Sequence, residues 1–277
     1  MKYYKFIVSI IAISLTACEL TKEIDYETLD FTSKIVVNGF ISKENGLNVF
    51  VKKNVPPNTP NADDKIESPR VSLIANEQEI AILEKSNESE YILHSDANMA
   101  SDILYRVKVE ADGMETVISE GQQFLTKNVL DTVYLVRGSN NYANYIYLEF
   151  EDNNPPGENF YTYTVEYYNK GVTESGNTYF PPLWAYSDGG FSNNRVINFS
   201  RIFSMEFDSA KVLLYTVPKF YYDFLQSYAE YEISCQSYFF ETVYPVISNI
   251  ENGFGFFISY EVDAYTIKNQ YKKLEYE

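Results

Sequence analysis

Chemically reactive side chains are scarce in this chain. It holds one histidine, one tryptophan and two cysteines in 277 residues. A zinc site takes about three or four His, Cys or acidic ligands, and one histidine with a spare thiol does not supply a typical set. The histidine, His94, stands beside Ser95-Asp96, but no motif places a Ser-His-Asp constellation around it. No Asp-x-Asp-x-Asp-Gly loop is present, which excludes an EF-hand. Asp63, Asp64 and Glu67 lie together in a proline-rich loop and read as a solvated stretch. Gly253-Phe254-Gly255-Phe256-Phe257 lacks the third glycine of a phosphate-binding loop. It reads as a turn followed by a close backbone approach. Many carboxylates remain, and no motif marks two of them as a glycosidase pair. The sequence therefore predicts no enzyme, no metal and no cofactor.

Basic residues are also few: 22 Lys and Arg face 39 Asp and Glu, a formal charge of −17. Such a chain repels phosphate backbones and anionic membrane surfaces, so nucleic-acid binding is excluded. The charge is accounted for by solubility. No apolar run reaches the ~20 residues needed to span a bilayer as a helix.

The start of the chain has three regions. Met1-Lys2-Tyr3-Tyr4-Lys5 is basic, Phe6 to Leu15 is apolar, and Leu15-Thr16-Ala17-Cys18 ends in small residues and a cysteine. That is the layout of a secretory signal. The ending resembles a bacterial lipobox, in which the cysteine thiol is alkylated by diacylglycerol and cleavage leaves the cysteine first. The resemblance implies lipidation of Cys18 with acyl chains such as palmitate, and an anchor stronger than one chain alone provides. Lys22-Glu23 partly resembles a surface-export signal and reads equally well as part of a polar tether. With Cys18 acylated, Cys235 has no partner inside the chain, so stability rests on burial, and Cys235 is expected in the core.

Four segments follow from this reading. Residues 1–17 are the signal, 18–32 a tether, 33–127 an immunoglobulin-like β-sandwich, and 128–277 a second antiparallel β domain. The fold class is mainly β. In the first domain, Lys34 to Ile41, Leu47 to Val51, Arg70 to Ile74, Gln78 to Leu83, Tyr91 to Leu93, Leu104 to Glu110 and Glu115 to Ser119 are short β-branched or alternating runs. Asn76-Glu77 and Asp112-Gly113 are hairpin turns. About seven such strands in roughly ninety residues fit a sandwich of immunoglobulin type.

The second domain is dense in tyrosine and phenylalanine. Thr132 to Val136, Tyr145 to Glu151, Asn159 to Asn169, Val196 to Phe199, Lys211 to Thr216, Phe254 to Tyr260 and Val262 to Lys268 read as strands. Gly171 to Asn194 reads as irregular. One helix is expected over about 218–234. Pro218 opens it, and Phe220, Phe224 and Tyr228, with Tyr221 and Leu225, form its apolar stripe. Most aromatics belong to the core or to cross-strand pairs. Tyr179, Phe180, Trp184 and Tyr186 instead lie in a proline- and glycine-flanked loop, which makes them the candidate contact residues for a ligand or partner. Asp131-Thr132-Val133 and Asp208-Ser209-Ala210 match a three-residue glycosylation sequon, a weak signal.

Three stretches carry a family resemblance. They are Tyr222-Asp223-Phe224-Leu225, Tyr244 to Phe257 with Ser248-Asn249-Ile250 and Gly253-Phe254-Gly255, and Tyr186-Ser187-Asp188-Gly189-Gly190-Phe191. Together with the lipobox they resemble the Bacteroidota lipoprotein family called domain of unknown function 4249. Phe239-Phe240-Glu241-Thr242 and Phe224 depart from its usual pattern. The resemblance implies an outer-membrane lipoprotein, with its body possible on the cell surface, encoded beside TonB-dependent receptors and without enzymatic activity. An accessory binding role beside such a receptor is the expectation. A structural or adhesive surface module is the alternative, and a glycan or peptide hydrolase the third reading.

Overall fold

The computed structural model describes residues 31–56, 59, 62–94, 99–137, 144–152, 159–169, 172–174, 184–188, 195–202, 207–236 and 245–272. The signal, the tether up to residue 30, Cys18, His94's neighbours Ser95 and Asp96, Tyr179 and Phe180 lie outside the described residues.

The β-branched and aromatic runs form strands because a side chain branched at Cβ packs well on a pleated surface. The first eight are β1 (Ile35–Ser42), β2 (Gly46–Lys53), β3 (Arg70–Ala75), β4 (Gln78–Ile82), β5 (Glu84–Lys85), β6 (Glu90–Leu93), β7 (Tyr105–Glu110) and β8 (Val117–Ser119). Next come β9 (Leu130–Arg137), β10 (Asn144–Glu151), β11 (Phe160–Asn169), β12 (Val172–Glu174), β13 (Tyr186–Ser187), β14 (Arg195–Ile202) and β15 (Ser209–Val217). Helix α1 (Lys219–Gln236) precedes β16 (Ile250–Glu251), β17 (Phe254–Ser259), β18 (Glu261–Lys268) and β19 (Tyr271–Lys272). The protein is mainly β, with antiparallel sheets and one helix among the described residues.

Two sheets, ordered β17-β1-β2-β6-β5 and β16-β8-β7-β3-β4, share one core. Ile35, Val37, Leu47, Val49 and Val51 meet Val71, Leu73, Tyr105, Val107 and Val109 there. β7 alternates buried and half-buried positions along its length, as its sequence predicts. The β3–β4 hairpin turns on Asn76 and Glu77, both at positive φ (49° and 64°), the conformation of a type I′ turn. Gly113, at φ 72°, turns β7 toward its antiparallel partner β8.

The sequence assigns Phe254 to Tyr260 to the second domain. The structure instead pairs β17 with β1 in parallel, from Val36↔Phe254 to Ile41↔Ser259. β16 likewise adds to β8. The first two sheets are thus completed by strands from far down the chain. A parallel pair needs a long crossover, and the whole of the intervening chain supplies it. Gly255 is at φ 100°, and a Cβ there would lie 2.1 Å from the carbonyl oxygen of Val37. The expected close approach is therefore that of β17 onto β1.

Two further sheets enclose the second core. The order is β14-β10-β9-β19 in one and β12-β11-β15-β18 in the other, with β13 also paired to β11. Leu130, Val133, Leu135, Ile146, Leu148 and Phe150 face Tyr161, Tyr163, Val165, Ala210, Val212 and Leu214. The opposite face of the β11–β15–β18 sheet enters a third cluster. There Phe160, Tyr215 and Val217 pack with Tyr221 and Leu225 of α1 and with Phe40, Phe256, Ile258 and Tyr260.

The helix matches the expected segment within two residues, but its buried stripe is rotated. Tyr221 and Leu225 are buried, Phe220 and Phe224 half-buried, and Tyr228 exposed. The second half of α1 faces outward, with Ser234 its one buried position among the described residues from 226 on. Cys235 follows that outward face and is exposed rather than in the core. The apolar stripe that would have buried it stops at Leu225. Two short strands, β12 and β13, stand inside the stretch expected to be irregular.

Candidate functional site

The aromatic loop is the first place to look. Of its four candidate residues, Trp184 and Tyr186 are described, and both are half-buried. Tyr186 lies in β13, opposite Tyr161 of β11, and its ring stacks on Tyr163 at 6.2 Å and 15°. Asp188 fixes the end of this stretch by accepting from the backbone N–H of Asn159 at 2.7 Å and from its amide at 3.1 Å. The indole N–H of Trp184 is buried and has no acceptor among the described residues. This part of the loop therefore folds back onto the face of β11 that carries the second core.

The remaining chemical candidates separate in space. His94 is exposed just past β6. Asp64 accepts from Lys52 at 2.6 Å, which holds its carboxyl below the usual range. Lys65 pairs with Glu88 at 2.8 Å. The acidic loop is thus tied to lysines, and no group of three or more His, Cys, Asp or Glu able to hold a metal occurs among the described residues. Asp131 and Asp208 of the two sequons are both exposed.

A groove that no local motif announces lies on the opposite face of the same sheet. Its volume is about 420 Å³. The chain builds it from five separate stretches. Lys211, Leu213 and Tyr215 alternate along one face of β15, while Ala210, Val212 and Leu214 point into the second core. Glu166 stands across from Lys211 on β11, and Val262 and Ala264 stand across from Tyr215 and Leu213 on β18. Glu44 and Asn45 of the β1–β2 turn, with Lys127, Tyr260 and Asp263, complete the wall.

A lysine clamp organises one end. The Lys127 ammonium is 2.9 Å from Glu44 and 3.4 Å from Asp263. Burial acts to lower its pKa, and the two carboxylates overcome that and raise it. Asp263 also accepts the backbone N–H of Leu130 at 2.9 Å. Asn45 donates to the hydroxyl of Tyr260 at 3.2 Å, and the rings of Tyr215 and Tyr260 lie 5.9 Å apart. Burial raises the pKa of both phenols, so they stay neutral donors at neutral pH. Beside the clamp, Glu261 is only 4% exposed and one of its oxygens has no partner among the described residues. Burial raises its pKa, while Lys43 acts to lower it.

At the far end, Glu166 accepts from the hydroxyl of Tyr168 at 2.8 Å. Lys211 has no carboxylate within ion-pair distance among the described residues. Sequence reasoning missed this groove because its lining is spread over β1–β2, the linker, β11, β15 and β18. The available signal was the pair Glu166 and Lys211, the charged positions within two strands that otherwise carry aromatic, apolar and uncharged polar side chains.

The Ser248 to Phe257 stretch has a structural explanation. Asn249 is buried, and its amide donates to the carbonyl of Phe257 at 2.8 Å and accepts from its N–H at 2.9 Å. β17 is an edge strand, and this side chain satisfies its outward backbone as a neighbouring strand would. A clasp of that kind, together with Gly255, explains why the motif has these residues. The family model for a domain of unknown function, DUF4249, matches residues 21–266. The chain belongs to the DUF4249 family. No curated protein matches it. The DUF4249 match runs from residue 21 into β18, so it takes in the Asn249 clasp, the returning strand β17 and every residue of the groove.

Proposed function

We propose that the protein is a lipid-anchored, non-catalytic outer-membrane protein of Bacteroidota type that serves a TonB-dependent receptor system by binding a ligand or the receptor itself. The observation that carries this reading is Leu15-Thr16-Ala17-Cys18 directly after a basic and apolar leader. It gives Cys18 a lipid, and residues 18–32 act as the tether to an immunoglobulin-like sandwich and the aromatic-rich β body. The groove supports a binding role, since its convergent charged and polar side chains surround a small apolar patch of Leu213, Val262 and Ala264, and such groups fix the orientation of a bound ligand. The contact loop with Tyr179, Phe180, Trp184 and Tyr186 serves as the surface for the receptor. The half-buried Trp184 and Tyr186 are consistent with a rigid aromatic contact.

The test has two stages. Cells fed an alkyne-bearing palmitate analogue label the parent protein, and Cys18→Ser abolishes both the label and sedimentation with the outer membrane. Affinity purification from native envelope then brings down a TonB-dependent receptor, and loss of the gene lowers uptake of that receptor's ligand. Unchanged uptake with no co-purifying receptor rejects the proposal.

One observation favours the adhesive alternative. The outward half of α1 presents Tyr228, Tyr231 and Ile233, exposed at 37%, 38% and 63%. Tyr228 and Tyr231, three positions apart, share one face, and exposed aromatic residues on one face serve protein contacts. Cross-linking on whole cells that captures a neighbour other than a receptor moves the assignment to this second reading.

A further inference from the structure

We propose that the groove takes a short peptide with free termini, its ammonium group at the Glu44–Asp263 end and its carboxylate at Lys211. The inference rests on the binding reading above and adds the ligand's chemistry.

The lining excludes the other small-molecule classes one by one. Five charged side chains line the groove, Glu44, Glu166, Asp263, Lys127 and Lys211, which disfavours a purely apolar ligand. Three of those five are carboxylates in a chain of charge −17, which disfavours an anion. A sugar is held by stacking on an open aromatic face, and Tyr215 and Tyr260 are each only 7% exposed. A ligand bearing a positive charge remains, with an apolar body for Leu213, Val262 and Ala264.

The charges are also distributed unevenly along the groove. At the turn end, two carboxylates share one ammonium, that of Lys127, so one negative charge is left uncompensated. Glu44 is the more accessible of the two, because Asp263 also holds the Leu130 N–H. At the other end Lys211 has no ion pair among the described residues; Glu166 stands across from it on β11 but is bonded instead to the Tyr168 hydroxyl. An uncompensated carboxylate at one end and a lysine without an ion pair at the other match a zwitterion, whose own carboxylate takes the place beside Lys211 that Glu166 leaves open.

Length sets how many residues fit. Lys211 and Tyr215 are four positions apart on β15, roughly 13 Å at a strand rise of about 3.3 Å per residue. An extended peptide spans at most about 3.3–3.6 Å per residue, so three or four residues reach from end to end. The volume of about 420 Å³ is at the lower end of the range for small-ligand sites.

The probe is the tripeptide Ala-Leu-Ala, titrated calorimetrically into the full lipidated chain in detergent. Ala-Leu-Ala gives saturable heat; its N-acetylated and C-amidated forms bind about tenfold or more weakly, as expected when a charge-assisted contact is lost. Glu44→Gln removes the preference for the free amino group, and Lys211→Ala removes the preference for the free carboxylate. Both side chains sit at the surface, and an unchanged unfolding temperature shows that each variant is folded. Equal binding of the capped and free peptides overturns the proposal, as does binding of 1,5-diaminopentane or a neutral trisaccharide in place of Ala-Leu-Ala. If no probe binds while the receptor still co-purifies, the peptide assignment falls and the receptor reading stands. If Ala-Leu-Ala binds and no receptor co-purifies, the peptide site stands and the receptor reading falls.

Discussion

Asn249→Ala offers the sharpest test of how the two distant parts of the chain are held together. In the parent, one buried side chain makes two hydrogen bonds to the backbone of Phe257, at 2.8 and 2.9 Å. Phe257 is fully buried and Asn249 is 3% exposed, so water does not replace the lost partner. Each hydrogen bond contributes about 1 kcal/mol net, and a buried backbone group left without a partner costs about 1–3 kcal/mol. Two groups are stranded together, and some local relaxation follows, so the expected loss is about 2–4 kcal/mol. For a body of this size that lowers the unfolding midpoint by roughly 4–16 °C. Urea unfolding followed by tyrosine and tryptophan fluorescence reads the change, with the denaturant slope unchanged if the native and unfolded states keep their compactness. Asn249→Asp is no rescue, because a carboxylate accepts from the N–H but cannot donate to the carbonyl. A loss under about 0.5 kcal/mol in Asn249→Ala would refute the claim that this amide closes the edge of β17.

Three further expectations follow from the same structure. Gly255→Ala places a Cβ 2.1 Å from the Val37 carbonyl at φ 100° and prevents β17 from seating on β1, whereas Gly113→Ala, at φ 72° with nothing within 4 Å, costs only about 1 kcal/mol; parallel thermal melts separate the two. Tyr221→Ala removes a ring that is 1% exposed and packed on Phe224 and Phe256, and a loss of about 3–5 kcal/mol is expected in the same urea assay. Glu261, whose carboxyl is raised by burial from its ordinary 4.5, binds its proton more tightly folded than unfolded. Its linkage therefore erodes stability as pH rises from about 4.5 through the folded-state value. Glu261→Gln should be more stable than the parent at pH 7, with the gain shrinking toward pH 4; a gain that is flat with pH counts against the assignment.

Much of the strand content is legible from residue order, because side-chain alternation and turn chemistry act over a few residues. β7 keeps the alternation its sequence predicts, and Asn76-Glu77 and Gly113 turn where positive φ is needed. The helix over Lys219–Gln236 follows from Pro218 and the spacing of its aromatics. The candidate site was far less legible. Trp184 and Tyr186 look like free contact residues in a loop, yet the second of them is a strand residue stacked on Tyr163. Glu44, Lys127, Glu166, Lys211 and Asp263 carry no shared motif, since they come from stretches that meet only after folding.

The amino-acid order by itself determined the mainly β class, the family, the hairpin turns and the position of the helix, all of which depend on local sterics or on contiguous residues. Only the tertiary structure decided which strands pair across the chain. β17 lies in parallel against β1, Asn249 closes that edge, Cys235 turns outward, and the groove forms on the outer face of the β11–β15–β18 sheet. Alternation states which residues of a strand share a face, but the partner that covers the face is chosen by burial and backbone hydrogen bonding between segments far apart in sequence.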